Sequence, residues 1–198
     1  MGTKNPWLPE TAPLQESVAA PVVAPTGATG PQPSVTPPEA GDQLRTFTTQ
    51  IHARVWVVGA HGGSGESTMA QLLEGSESRH RWPDTTPAPA VLLTARTHAR
   101  GLHAAQLAMR AWAAGQTPHL RLVGLVLVAD APGRLPRQLA DLADVIRGGV
   151  PHTWHIPWVD QYRVEVDPAD TPRQVRKVLS EINVVLDTTH QIGEAPCI

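Results

Sequence analysis

The sequence predicts a three-layer α/β fold, a parallel sheet flanked by helices, behind a disordered proline-rich N-terminal tail. Three observations predict it. Apolar runs of strand length alternate with amphipathic stretches of helix length, which is the pattern of βαβ units. The runs at 55–58 and 122–128 are apolar throughout, as strands buried on both faces are. Turns bearing glycine or proline stand between these runs and the helices that follow.

The tail comes first. Over residues 1–42, Pro6, Pro9, Pro13, Pro21, Pro25, Pro31, Pro33, Pro37 and Pro38 recur among Thr, Gly, Ala and Ser. This composition buries too little apolar surface to offset its ordering entropy. It should be polyproline II locally and unpacked: a tether, a peptide ligand for a partner through Trp7 and Leu8, or an inert tail. The globular domain is expected over residues 43–190. Thr46-Phe47-Thr48-Thr49 reads as an edge strand, and 55–58 as the first core strand. A helix is expected at 66–73, then a loop at 75–89 carrying Gly75, Pro83, Pro87 and Pro89.

The second core strand is read at 90–95, followed by a turn at 96–101 and a helix at 102–114. In that helix Leu102, Ala105, Met109 and Trp112 mark the inward face, and Gly115 stands where a C′ glycine ends a helix. The third strand is 122–128, and a turn at 130–136 leads to a helix at 136–147. The fourth strand is 152–156. A last helix is expected over 171–186, with Thr171 as N-cap, Pro172 at N1, and Val175, Val178, Leu179, Ile182 and Leu186 at helical spacing.

Composition excludes several classes. A net charge of −2 gives no strong signal for nucleic acid. Cys197 is the one cysteine, so no internal disulfide forms, and a cytoplasmic setting is expected. No apolar run approaches the roughly 20 residues of a membrane span. The histidines match no zinc spacing, and Glu66 stands where the nucleophile elbow of a serine hydrolase needs its last glycine.

The stretch around which the rest is organised is Arg54-Val-Trp-Val-Val-Gly-Ala-His-Gly-Gly-Ser-Gly-Glu-Ser-Thr68. Strand, glycine loop and helix start make a phosphate cradle: backbone N–H groups converge, and the helix dipole favours an anion. Residues 61–68 resemble the deviant Walker A motif of the ParA/MinD family, K-G-G-x-G-K-[ST]-T. Both lysines are absent, with His61 at the first and Glu66 at the second. The only lysines are Lys4 and Lys177.

The resemblance extends over roughly residues 54–163. Gly124-Leu-Val-Leu-Val-Ala-Asp130 resembles the family's G-x-V-x-N-R strand, which implies Asp130 at the adenine-contacting position. Ile156-Pro157 with Asp160 is similar to the segment near the base. The whole resembles an uncharacterised actinobacterial family of shortened, degenerate P-loop proteins. No counterpart of the switch carboxylates is visible, and 75–89 is too short for the family's intervening strands.

In an open parallel sheet, ligands sit outside the carboxyl ends of the strands. The candidate ligand-binding residues are therefore Gly62, Gly63, Ser64, Gly65, Glu66, Ser67 and Thr68 from the first loop, with Asp130 and Arg134 from the third. The second loop adds Arg96, Thr97, His98 and Arg100, and the fourth adds Trp158, Asp160, Gln161 and Arg163. Ser67 is the one expected Mg²⁺ contact, and no other metal ligand is expected.

A carboxylate in the cradle repels a triphosphate: two like charges about 4 Å apart cost roughly 4 kcal/mol at an effective dielectric near 20. The expectation is a non-hydrolysing binding or scaffold module that acts on a protein partner, with ATP and Mg²⁺ bound weakly at most. Glu66→Lys is expected to create nucleotide affinity. The alternative is an ATP-binding NTPase in which rim arginines replace the lysines. A homodimer is left open.

Overall fold

The computed structural model describes residues 23–193, with side chains through residue 188. Its strands are β1 (Arg45–Thr48), β2 (Trp56–Gly59), β3 (Ser76–Glu77), β4 (Arg81–Asp84), β5 (Ala90–Arg96), β6 (Arg121–Val128) and β7 (Thr153–Ile156). Its helices are α1 (Glu66–Leu72), α2 (Ala99–Ala113), α3 (Arg137–Arg147) and α4 (Arg173–Gly193).

The main sheet runs in the order β3-β2-β5-β6-β7, with every pairing parallel. The four core strands expected from the sequence are all in it. The chain moves from β2 to β3 on one side, then crosses to β5 on the other. The topological switch point therefore lies between β2 and β5, where open α/β sheets hold their ligands.

The strands separate two apolar layers. Trp56, Val58, Val91, Leu93, Leu125 and Leu127 pack with Leu102, Ala105, Met109 and Trp112 of α2 and with Ala143 and Ile146 of α3. Val57, Leu92, Val126 and Val128 face the other way, onto Met69 and Ala70 of α1 and onto Val175, Leu179, Ile182 and Leu186 of α4. A register shift between β5 and β6 explains why Leu122 and Leu125, three apart, share one face. One residue of β6 has no partner there, and the alternation resumes on the same side. Gly124 sits at this shift, where an added Cβ would press on the His152 carbonyl and the Trp154 ring.

Five sequence expectations need correction. Residues 75–89 are not a bare loop: they carry β3, on the edge of the main sheet, and β4. Ser76 and Ser78 donate their N–H groups to the Val55 and Val57 carbonyls, and Trp82 is buried. The strand at 46–49 exists as β1, but it pairs with β4 in a separate two-stranded sheet. Helix α2 starts three residues early, because His98 caps it by accepting from Gly101 N at 3.0 Å. Helix α4 starts at Arg173 and continues to Gly193, beyond its expected end.

The last correction concerns the tail. Residues 1–22 lie outside the described residues. Residues 23–39 carry neither helix nor strand, as expected, but they run along the domain. Thr26 N donates to Pro151 O, Ala28 N to Gly148 O, and Gln32 N to Ala113 O. Ala28 and Val35 pack on the core, and Pro38 is buried. These acceptors lie at the ends of α2 and α3, so the strap crosses the rim opposite the carboxyl ends of the strands.

Candidate functional site

The loop from β2 to α1 supplies the centre of the site. Gly63 and Gly65 take φ of +75° and +91°, which glycine adopts without steric cost. Ser64 is buried, and its hydroxyl lies 3.2 Å from Oγ1 of Thr94 on β5. Ala60 N donates to the Thr94 carbonyl. The loop is thus tied to β5 across the switch point.

His61 and Arg96 make the rest of that tie. Arg96 N–H donates to His61 Nε2 at 3.1 Å, so Nε2 carries no proton. Nδ1 then carries it and donates to the Gly62 carbonyl at 2.8 Å. Burial lowers the His61 pKa from its usual 6.5, against the Gly62 bond, which raises it; the charges of His98, His80 and Arg96 lower it further. His61 is therefore a neutral strut. The Arg96 guanidinium donates to Gly63 O at 3.1 Å and to Ala129 O at 2.7 Å, bridging the loop to the end of β6.

The Glu66 carboxylate is committed to partners. Its side chain is 6% exposed and turns toward the β3–β4 turn. Oε1 accepts from Ser78 N at 2.9 Å and from the Ser78 hydroxyl at 3.0 Å. Oε2 accepts from His80 N at 3.3 Å and lies 2.9 Å from His80 Nδ1. The carboxylate anchors a turn in which Arg79 and His80 both take φ of +57°. Ser67 donates its hydroxyl to Glu77 Oε2 at 2.6 Å. Among the described residues no group of three or more His, Cys, Asp or Glu side chains could hold a metal ion.

Three cavities follow one another along the carboxyl rim. A polar one of about 390 Å³ is lined by Gly63, Ser64, Gly65, Glu66, Ser67 and Thr68, with Glu77, Arg79, His80 and Arg96. A middle one of about 240 Å³ shares Gly65, Thr68 and Arg96 with it, and adds Trp158, Tyr162 and Arg163. The largest, about 570 Å³ and mainly apolar, lies beside the ends of β6 and β7. It holds Asp130 and Arg134, both exposed, with Thr97, His98, His155 and Leu139. Thr97 Oγ1 accepts from Asp130 N at 3.1 Å, fixing the turn after β6.

Of the candidate residues, those from Gly63 to Thr68 come together in the polar cavity. Gly62 is exposed and does not line it. Asp130 and Arg134 belong to the apolar cavity, which shares Ala129, Ile156 and Pro157 with the middle one. In the fourth loop, Trp158 Nε1 donates to Asp160 at 2.7 Å and the Arg163 guanidinium lies over the Trp158 ring, 5.5 Å from its centroid. Sequence reasoning missed Glu77, Arg79 and His80. Their stretch read as a loop, and the acid at position 66 was the one signal that a partner was needed.

Among the described residues no helix is long and apolar enough to cross a membrane. No curated protein matches the chain, and no solved structure does. A protein family does match: residues 53–179, well over half of the chain and spanning β2 to the first third of α4, fit the one described as "Family of unknown function (DUF6668)". The chain belongs to that family.

Proposed function

We propose that the protein is a degenerate, ParA/MinD-like P-loop protein that binds without hydrolysing, a module acting on a protein partner through the carboxyl rim of its sheet. The observation that carries this is the Glu66 carboxylate, buried at the position of the Walker lysine and bonded to Ser78 and His80. Phosphoryl transfer rests on positioning and on cations aimed at the developing charge. Here that position is a structural anchor. Ser67, the expected Mg²⁺ contact, donates to Glu77 instead. A row of cavities that runs from polar to apolar along the rim suits an elongated ligand with an anionic end and a flat apolar end, and ATP is such a ligand, bound weakly at most.

Arg96 favours a second reading. Its guanidinium stands between the polar and middle cavities, where an NTPase lacking its lysines would need a cation. Phosphate release from ATP with Mg²⁺ separates the two. The binding module gives none above the protein-free rate. Turnover abolished by Arg96→Ala would establish the arginine-substituted NTPase.

A further inference from the structure

We propose that the open edge of β1 takes an extended acidic segment of a partner protein as a third strand, with its carboxylates on Arg45 and Arg81. This goes beyond the reading of the rim: Arg45, Thr46, Phe47, Thr48 and Arg81 line none of the three rim cavities.

The backbone comes first. β1 and β4 form a two-stranded parallel sheet, so no strand lies beyond β1. Thr49 N donates to Asp84 O, and in a parallel ladder every second residue turns its backbone groups to the same neighbour. Arg45 and Phe47 therefore bond to β4, and the N–H and C=O groups of Thr46 and Thr48 face outward. Both threonines are exposed, and among the described residues nothing bonds those groups. A peptide that adds a strand to a sheet pairs with such a row.

Charge is the second observation. Arg45 and Arg81 stand opposite one another in the ladder, on the face that carries Phe47. The Arg81 guanidinium lies 4.6 Å from the centroid of the Phe47 ring, and that ring meets Trp56 edge-on at 5.5 Å. Both arginines are exposed, and among the described residues neither forms an ion pair. Like charges so placed repel. A single charge on β1 would guard an open edge against other strands. A second cation at the same level of β4, seated on an aromatic ring, goes beyond that and suits an anionic partner.

The pattern of the partner follows from the faces. Side chains of an added strand alternate, so carboxylates at every second position all reach the arginine face. Asp84, three residues beyond Arg81, lies on the other face of β4. It lines a cavity of about 490 Å³ at the carboxyl ends of the two strands, with Thr48, Gln50, His52 and Thr86. Polar uncharged or apolar side chains belong on that face. A second copy of this chain is the poorer occupant, because β1 against β1 would gather the arginines of both copies.

The probe is a blocked synthetic peptide alternating valine and glutamate, added to the isotopically labelled full chain. By NMR it should shift the Thr46 and Thr48 amides and slow their exchange. Lysine in place of glutamate should weaken binding about tenfold or more, as should Arg45→Gln combined with Arg81→Gln. Arg45→Lys combined with Arg81→Lys should restore most of it. Thr46→Pro removes one outward N–H and none that the ladder uses, so it should abolish binding with the β5 and β6 resonances unchanged. The wild-type shifts report the edge directly, whether or not a variant folds. Absence of binding, equal binding of the glutamate and lysine peptides, shifts that leave β1 untouched, or full binding in Thr46→Pro would overturn the assignment. A wild-type dimer that becomes monomeric in Thr46→Pro would overturn it as well, by giving the edge to a second copy. ATP turnover would count against the non-hydrolysing reading alone.

Discussion

The Glu66 carboxylate lies 2.9 Å from Nδ1 of His80, fourteen residues along the chain, and accepts the backbone N–H groups on both sides of Arg79. Helix α1 and the β3–β4 turn are thus held by one buried side chain. Glu66→Gln keeps the shape but replaces one acceptor oxygen with an amide NH2 donor facing N–H groups. It should lower stability by about 1–3 kcal/mol in chemical denaturation. It should also speed amide exchange at Ser78 and His80 more than in β5 or β6. An unchanged denaturation midpoint would mean that the turn stands without Glu66.

Acid should weaken the fold. Burial lowers the pKa values of His61, His152 and His155 below the usual 6.5. The unfolded chain then takes up protons at a higher pH than the native one. Stability from these groups is complete above about 6.5 and is lost as pH falls through the lower native values. Denaturation midpoints measured from neutral pH downward should fall, and less steeply in His61→Gln. A midpoint that rises on acidification would contradict the neutral-strut assignment of His61.

The strap at 23–39 can be released by one methyl group. An added Cβ on Gly27 would meet the carbonyls of Val150, Arg147 and Gly148, none of which can swing aside as a side chain does. Gly27→Ala should cost about 1–3 kcal/mol and open the strap to limited proteolysis while β5 and β6 stay protected. Equal protease resistance in both proteins would contradict the docking of Thr26 and Ala28 to the rim.

The parts legible in the sequence were those decided by side-chain pattern. The apolar runs became β2, β5, β6 and β7, and the inward stripe of Leu102, Ala105, Met109 and Trp112 became α2. Gly63 and Gly65 were legible because a loop needing positive φ selects glycine. What could not be read was decided by tertiary bonds. Glu74, Arg79 and His80 carry no local preference strong enough to announce positive φ, and the β3–β4 turn depends on the distant Glu66. The strap is held by backbone N–H groups of Thr26, Ala28 and Gln32, which every residue but proline has. The acid at position 66 was legible; that it had turned inward was not, because its partners Ser78 and His80 are brought to it by tertiary packing.

Glu66→Lys tests the central claim most directly, with stability and ATP affinity measured on the same preparation. If position 66 is an anchor, lysine puts an uncompensated cation against the N–H groups of Ser78 and His80. Stability should then fall by about 3–5 kcal/mol, with no gain in ATP affinity over wild type. A Glu66→Lys protein that is as stable as wild type and binds ATP about tenfold tighter or more would contradict the account. Position 66 would then be a vacated lysine site, its carboxylate a repelling charge and no anchor.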